Sequence, residues 1–347
     1  MEFNHAATNA FGRFSFEIVN ADLAIVNGVR RAIMTLIPVI GFSAETVDIR
    51  TNTGPLHNEI ISHRIAMIPL HLTASENDAD PGQAYTLNVK NTGDSTMNIT
   101  THDLRREGLS THDIARIFPA NAVSKTPILI TRLRPGEELD LTATTIKATA
   151  SQDAGFCPAS LCTFSFLLDA TAAAAASDVL DKERAYLKNE YGDPIAFRIE
   201  IESECGLKPA IIVTKAISAL IAAVDTVAKE AQTGDVGDQS SKVSIGTEHS
   251  RYMITLKEED DTLGNMLQST MHNYYIREKR EDTVTYVGYY APHPLEQKVV
   301  LSLQLKETSS VEAGETAAMA IFVASCLRVK ETLETMRESW IRFAGQN

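Results

Sequence analysis

Three histidines, His57, His63 and His71, are the first side chains here that suggest chemistry, because neutral imidazole is a common zinc ligand. Glu45 and Glu59 lie near them in the chain. The spacings are 63 − 57 = 6 and 71 − 63 = 8 residues, and neither matches a common pattern of zinc ligands. A metal-dependent hydrolase that uses these histidines stays an alternative. We favour a polar surface patch.

Cys157 and Cys162 are the second candidate metal site. Two thiolates separated by four residues fall short of the four ligands of a structural zinc site. Cys205 and Cys326 lie in apolar sequence and are predicted to be small core residues. We therefore expect no metal, no cofactor and no disulfide framework, which suits a reducing compartment.

Acidic side chains are densest at residues 258–261, which directly precede a predicted helix. Carboxylates at that place favour the positive end of the helix dipole. The sequence contains neither a Walker-type phosphate loop nor a Gly-x-Ser-x-Gly motif. The residues thus give no sign of a catalytic site.

The charge balance favours protein partners over nucleic acid. The 347 residues carry 32 Lys and Arg against 45 Asp and Glu, so the net charge is 32 − 45 = −13. A negative surface repels a phosphate backbone, and we expect no direct sequence-specific binding of nucleic acid. No apolar run appears long enough to span a bilayer, so we expect no membrane association and an intracellular protein.

An internal repeat is the most informative feature. Residues 13–18 align with residues 251–256, an offset of 251 − 13 = 238. Without a gap, the alignment continues over four further pairs: Asp22 with Asp260, Ile25 with Leu263, Asn27 with Asn265, and Val29 with Leu267. In each copy, apolar residues alternate with period two and then recur with helical period. Each copy is therefore predicted to be a strand followed by an amphipathic helix, with Asp22 and Asp260 near the helix starts.

The two copies differ in length because the first contains an insertion. Residues 70–162 are rich in short β-type runs separated by turn formers, and predict a β-rich insert subdomain. Long helices are predicted at residues 209–231 and 312–343. We predict a larger repeat domain at 1–69 and 163–233, a linker at 234–242, and a smaller repeat domain at 243–347.

Both long helices carry more apolar residues than one small sheet would cover. They either complete the core of their own half or pack against the other copy, and both interpretations stay open. In the second case the copies form an intramolecular pseudo-dimer, as related units often do. The candidate pseudo-dimer interface is Ile25, Val29, Ile33, Leu220, Leu263, Leu267, Phe322 and Leu327.

Several stretches resemble a known family. Residues 23–34, followed by Ile37-Pro38, resemble the first helix of the alpha-like assembly subunits of multisubunit RNA polymerases. Residues 52–70 resemble the next stretch of the larger type, found as archaeal D and the eukaryotic third-largest subunit. Residues 260–267 and 288–296 resemble the smaller partner, archaeal L or the eukaryotic eleventh subunit. The sequence therefore resembles a fusion of two assembly subunits, as in large cytoplasmic DNA viruses.

The resemblance implies an α+β fold with two alpha-like dimerisation domains, the first interrupted by the insert. It implies a subunit that is no enzyme by itself and on which the two large catalytic subunits and small subunits of a DNA-directed RNA polymerase assemble. A scaffold of the same fold in another complex is the alternative. If viral, the protein is expected in the host cytoplasm and the virion; otherwise in the nucleus or cytoplasm.

The resemblance also implies where the large subunits bind. The candidate large-subunit interface is Asn27, Arg30, Arg31, His57, Asn58, Glu59, His63 and Arg64. For Asn27 we favour a structural hydrogen bond, because asparagine has a poor helix propensity. For Arg30 and Arg31 the alternative is a solvated pair at the helix C-terminus. Many relatives of the larger type carry a four-cysteine metal cluster in the insert, whereas residues 70–156 contain no cysteine. We therefore expect this cluster to be missing.

Overall fold

The computed structural model describes residues 1–9, 12–121, 123–233, 241–306 and 310–345. Residues 234–240 of the predicted linker lie outside the described part. The chain divides into two compact units. The first unit comprises Met1–Ala32, Thr163–Glu200 and Val213–Asn347, and the second unit comprises Ile33–Cys162 and Ile201–Ile212. The domain boundaries predicted from the sequence stay a proposal.

The chain folds as a mixed α+β protein, as predicted. Over the described residues, the strands in chain order are β1 (Glu2–Thr8), β2 (Phe14–Val19), β3 (Val39–Asn52), β4 (Ala84–Lys90), β5 (Met97–Thr100), β6 (Leu129–Leu133), β7 (Glu138–Ala148), β8 (Ala159–Phe166), β9 (Ala196–Ser203), β10 (Val243–Glu248), β11 (Arg251–Lys257), β12 (Val284–Tyr290) and β13 (Lys298–Leu305).

The α-helices of the same residues are α1 (Leu23–Thr35), α2 (Asn58–Ala66), α3 (Ala74–Asp78), α4 (Thr111–Ile117), α5 (Ala170–Ala175), α6 (Val179–Glu183), α7 (Pro209–Thr233), α8 (Asp261–Met271) and α9 (Val311–Ala344). A π-helical turn at His272–Arg277 continues α8, and short 3₁₀ turns lie at Thr101–Asp103 and Ala154–Phe156. The two predicted long helices correspond to α7 and α9.

Two four-stranded sheets have the same strand order. The first is ordered β1-β2-β9-β8 and the second β10-β11-β13-β12. In both, a helix (α1 or α8) follows the second strand and a long helix (α7 or α9) follows the last strand in the chain. The repeat therefore extends beyond the aligned segments to every strand of both sheets.

Alternating apolar residues form the buried faces of β2 and β11, which are the equivalent inner strands of the two sheets. Phe16 and Ile18 of β2 are buried, as are Ile254 and Leu256 at the matching positions of β11. The residues between them are only partly buried, which is the pattern of a sheet with one face in the core. The period-two pattern thus identified both strands correctly.

The second unit has its own core. It contains a three-stranded sheet, ordered β3-β7-β4, and the β5-β6 pair, so β3, which precedes the predicted insert, belongs to the same sheet as β4 and β7. Phe42, Tyr85 and Phe118 form an aromatic cluster with ring centroids 5.4 to 6.3 Å apart. Strands β4 to β7 fall within residues 70–162, where the sequence predicted short β-type runs.

Helix α7 corrects one expectation. We expected no segment to be long and apolar enough to cross a membrane, whereas Pro209–Thr233 is, by length and composition. A helix in the core of a protein outside the membrane meets the same criteria, and Ile217, Leu220 and Val224 of α7 are buried in the first unit. Length and composition do not by themselves identify α7 as a membrane span.

Candidate assembly interface

Helices α1 and α8 begin in the same way. Asp22 precedes α1 and its Oδ1 accepts a hydrogen bond from the Ala24 amide at 2.7 Å. Asp260 is the N-cap of α8 and its Oδ1 accepts one from the Thr262 amide at 2.8 Å. Each aspartate satisfies an amide that has no partner within its helix.

Each N-cap aspartate also binds the other helix. The Arg31 guanidinium of α1 donates from Nη2 to Asp260 Oδ2 at 3.0 Å and from Nε to Thr262 Oγ1 at 2.8 Å. Burial by itself raises the pKa of Asp260, but hydrogen bonds from Thr262 and Arg31 outweigh it, and the pKa is lowered. We call this group the charged end of the α1–α8 contact.

The opposite end uses neutral donors. Ser269 Oγ lies 3.0 Å from Asp22 Oδ2 and 3.2 Å from Oδ1, and donates to this carboxylate. Asn273 Nδ2, from the π-helical turn, donates to Asp22 Oδ2 at 2.9 Å. We call this group the neutral end.

The two ends occupy the same positions of the repeat. With the offset of 238, Asp22 corresponds to 22 + 238 = 260 and Arg31 to 31 + 238 = 269. Position 22 of one copy therefore meets position 31 of the other at both ends. Such reciprocity is the property of an isologous contact between related units.

Glycine and methionine face each other between the two ends. A Cβ added to Gly28 would lie 2.5 Å from Met266 Sδ and 3.1 Å from its Cγ. Gly28 corresponds to 28 + 238 = 266, so the same position of both copies meets at this point. Going along α1 from Asp22 to Arg31, the partners in α8 run from Ser269 back to Asp260, so the helices are antiparallel.

The long helices add contacts between the copies. Asp225 of α7 accepts a hydrogen bond from Lys330 of α9, with 2.5 Å between Oδ1 and Nζ, and pairs with Lys229 at 2.6 Å. Hydrogen bonds from these two ammonium groups lower the pKa of Asp225 to about 2. Helices α7 and α9 are thus joined by an ion pair.

Trp340 of α9 packs against strands of the first sheet. Its ring centroid lies 4.6 Å from that of Phe16, 5.1 Å from that of Phe3 and 6.5 Å from that of Phe14. The side chain is fully buried. Helix α9 has 34 residues and α7 has 25, so α9 is longer by 34 − 25 = 9 residues.

The predicted pseudo-dimer residues are mostly in the core. One exception, Leu327, is 50% exposed and borders a groove of about 710 Å³ between α9 and the end of α7. The buried ones are Ile25, Val29, Ile33, Leu220, Leu263, Leu267 and Phe322. Their assignment to an interface stays a prediction, because burial alone does not say which copy each side chain contacts.

The predicted large-subunit residues belong to both units. In the first unit, Arg30 Nε donates to Asn27 Oδ1 at 3.0 Å. Arg31 forms the charged end with Asp260. The sequence did not suggest this partner, because Asp260 is 229 residues away. A role of these three residues in binding large subunits stays a prediction.

The remaining five residues, His57, Asn58, Glu59, His63 and Arg64, are exposed at or next to α2 in the second unit. Arg64 donates to the backbone carbonyls of Ile130 at 2.8 Å and Leu129 at 2.6 Å. His71 is half-buried, and burial lowers its pKa. Among the described residues, no group of three or more His, Cys, Asp or Glu is placed to hold a metal ion.

Sequence reasoning assigned none of the residues described above to the α1–α8 contact, and Arg31 was predicted to bind a large subunit instead. These residues are Asp22, Gly28, Arg31, Asp260, Thr262, Met266, Ser269 and Asn273. The offset of 238 contained the signal, since it pairs position 22 with 260 and 28 with 266. It did not reveal that the two helices cross in opposite directions, which brings position 22 of one copy to position 31 of the other.

Comparison with known proteins finds similarity to subunits of RNA polymerases. Residues 251–339 match the model of the RNA polymerase Rpb3/Rpb11 dimerisation domain. The chain is 29% identical over 168 residues to DNA-directed RNA polymerase II subunit RPB3 of Schizosaccharomyces pombe, covering 44% of this chain and 55% of that protein. It is 28% identical over 180 residues to DNA-directed RNA polymerases I and III subunit RPAC1 of Bos taurus, covering 45% and 51%.

A third relative is subunit 3 of DNA-directed RNA polymerases II, IV and V of Arabidopsis thaliana, 26% identical over 169 residues and covering 44% of this chain and 52% of that protein. The chain spans about half the length of the curated relatives it matches. The chain is therefore similar to RNA polymerase subunits of the Rpb3 and RPAC1 type.

Proposed function

We propose that this chain is a non-catalytic assembly subunit of a DNA-directed RNA polymerase, on which the two large catalytic subunits associate. The observation that carries the proposal is the reciprocal α1–α8 contact. Its second half lies within residues 251–339, which match a dimerisation domain of polymerase subunits. Its first half is the matching segment of the other copy of the repeat.

The proposal includes an intramolecular pseudo-dimer. Three contacts support it: the charged end, the neutral end and the Gly28–Met266 contact obey one offset and one antiparallel crossing. The two copies of the repeat lie in one chain and meet at an effective concentration on the order of millimolar, so their pairing does not depend on protein concentration. On this view a larger and a smaller assembly subunit are joined in one chain.

The large subunits are proposed to bind two places: Arg30 with Asn27 in the first unit, and the exposed side chains of α2 in the second unit. Arginine is enriched among residues that dominate binding at interfaces, and Arg30 is held by Asn27 on the side of α1. The α2 surface presents His57, Glu59 and His63 to solvent. Because the net charge is −13, we propose that this subunit binds away from the nucleic-acid channel.

Co-purification tests the proposal. The full chain, tagged and expressed in its natural setting, should recover both large polymerase subunits in stoichiometric amounts. Arg30→Glu should lower that recovery, because it reverses a charge at the proposed surface. Val179→Glu is the control, since Val179 is 67% exposed on α6 and belongs to neither predicted interface.

One result would overturn the proposed function, and a second would correct only the proposed binding surface. Stable partners that include no polymerase subunit would favour the alternative, a scaffold of the same fold in another complex. Equal recovery by the Arg30→Glu and Val179→Glu variants would remove Arg30 from the binding surface while leaving the subunit role intact.

The proposed setting is an intracellular transcription complex. The fusion of two assembly subunits is a feature that the family resemblance connects with large cytoplasmic DNA viruses, and we extend the proposal to a viral polymerase. Imaging of the tagged chain at cytoplasmic sites of viral transcription in infected cells, and its presence in virions, would test this extension.

A further inference from the structure

The middle of the α1–α8 contact differs from its ends because the two copies carry residues of opposite size at one position. Gly28 and Met266 are equivalent at the offset of 238. Both are buried, and the Met266 side chain fills the place where a side chain on Gly28 would begin. In a contact related by twofold symmetry, a position meets its own equivalent only at the symmetry axis.

Pairing of like copies would fail at this position in either combination. Two methionines would compete for space that holds one, because the thioether of Met266 already lies 2.5 Å from the Cβ position of residue 28. Overpacking of this kind forces side chains off their rotamers and shifts the backbone. Two glycines would leave an unfilled volume, which costs both transfer free energy and lost contacts.

We infer that Gly28 and Met266 are specificity-determining residues, which make the surface of α1 fit the α8 type of helix and exclude a second copy of itself. This inference rests on the pairing proposed above and adds the reason why each copy accepts only the other. The partner that fits α1 carries one long unbranched side chain at the axis. Methionine suits that place because its flexible thioether adapts to the exposed backbone of a glycine.

The flanking ends do not explain this selectivity. Position 22 is aspartate in both copies, as Asp22 and Asp260. An α1–α1 pair would therefore place an arginine beside an aspartate at both ends, which is favourable. Among the contacts described above, the glycine and methionine at the axis thus distinguish a mixed pair from a pair of first copies.

Exchange of the two residues within the full chain tests the inference. Gly28→Met gives a Met/Met axis and Met266→Gly gives a Gly/Gly axis, so the single variants reproduce the two like pairs. The double variant Gly28→Met with Met266→Gly restores one residue of each size in reversed positions. It also keeps one glycine and one methionine in helices, so helix propensity is nearly balanced.

We expect each single variant to lower the midpoint of thermal unfolding by roughly 3–10 °C. The double variant should regain at least half of the summed loss, since the two positions share one volume. If Gly28→Met alone does not fold, a folded double variant still supports the inference. A double variant whose loss equals the sum of the single losses, or which does not fold, overturns it.

The same proteins separate this inference from the proposed function. Recovery of large polymerase subunits by the wild-type chain, together with additive losses in the three variants, would refute the size pair and leave the polymerase role standing. Non-additive losses in a chain that recovers no polymerase subunit would support the size pair and refute the polymerase role.

Discussion

The two sheets share one strand order, yet the helices that cover them differ in length and in the chemistry of their contacts. The second copy ends in a helix nine residues longer than that of the first, 34 against 25. One end of the α1–α8 contact is held by an arginine and the other by serine and asparagine. Apart from the insert in the first copy, these differences therefore lie where the copies meet, whereas the order of strands and helices around the two sheets has been kept.

The largest expected effect comes from the C-terminal part of α9, where Trp340→Ala would remove the contact with the first sheet. We expect a loss of about 3–5 kcal/mol in the free energy of unfolding, because a fully buried indole is cut to a methyl group. Chemical denaturation measures it. Ile341→Ala is the control, since Ile341 is 52% exposed, and its loss should stay within about 0.5 kcal/mol. Equal losses would show that Trp340 does not anchor α9 on the first sheet.

The next largest loss of stability is expected at the neutral end of the α1–α8 contact. Asp22→Ala removes the acceptor of three hydrogen-bond donors, the Ala24 amide, Ser269 and Asn273. We expect a loss of about 1–2 kcal/mol in the free energy of unfolding. Asp178→Ala is a matched control, because Asp178 is the N-cap of α6 and its side chain makes no capping hydrogen bond. A loss no greater than that of the control would contradict the assigned role of Asp22.

The charged end should be weaker and more sensitive to salt. Arg31→Met removes the donors to Asp260 and Thr262, and we expect a loss of about 1 kcal/mol at low ionic strength, since Asp260 is partly exposed. The loss should shrink at high salt, because screening weakens exposed ion pairs. The loss of Asp22→Ala should change less.

Arg280→Met provides the control for Arg31→Met, since the Arg280–Glu278 pair is exposed and lies within one short segment. We expect this substitution to have almost no effect on stability. If the loss of stability from Arg31→Met does not depend on salt, the charged end is not held mainly by the charge of Arg31, and the two ends do not differ in their electrostatics.

The smallest expected effect concerns pH and the α7–α9 ion pair. The pKa of Asp225 is lowered to about 2 from 3.8, so its contribution to stability is present above about pH 4 and is lost as the pH falls towards 2. Lys330→Met should raise the pKa of Asp225, measured by NMR titration of its carboxyl group. The stability difference from wild type should vanish at the acidic end of this range.

Lys229→Met distinguishes the two lysines, because Lys229 lies one turn away in α7 and Lys330 lies in α9. Both variants should raise the pKa of Asp225, but only Lys330→Met should also weaken the contact between the helices. If Lys330→Met and Lys229→Met lower the free energy of unfolding equally, the Asp225–Lys330 pair does not stabilise the contact between α7 and α9.

Local patterns predicted the elements whose signals are local. Strands β2 and β11 alternate cleanly and α1 and α8 begin at aspartates, so their places were correct. Strands β1 and β10 were missed. In β1, Phe3 is the one buried residue, and a strand with so few core positions has little period-two signal.

The site was predicted less well because its contacts join distant residues. Arg31 was expected on an exposed surface, and nothing near it in sequence indicates Asp260 as its partner. The repeat gave the equivalence of positions 28 and 266 but not the antiparallel crossing that brings them together. An equivalence between copies is a property of the sequence, whereas the crossing depends on how the helices pack.

The place of Trp340 has a consequence for synthesis of the chain. Its contact with Phe3 joins residues that are 340 − 3 = 337 positions apart. The ribosome must therefore add 337 residues after Phe3 before this contact can form. At roughly 5–20 residues per second, synthesis of this stretch takes on the order of tens of seconds. During that time Trp340 does not yet shield the aromatic side chains of β1 and β2. We therefore expect chaperones to bind the nascent chain at these two strands.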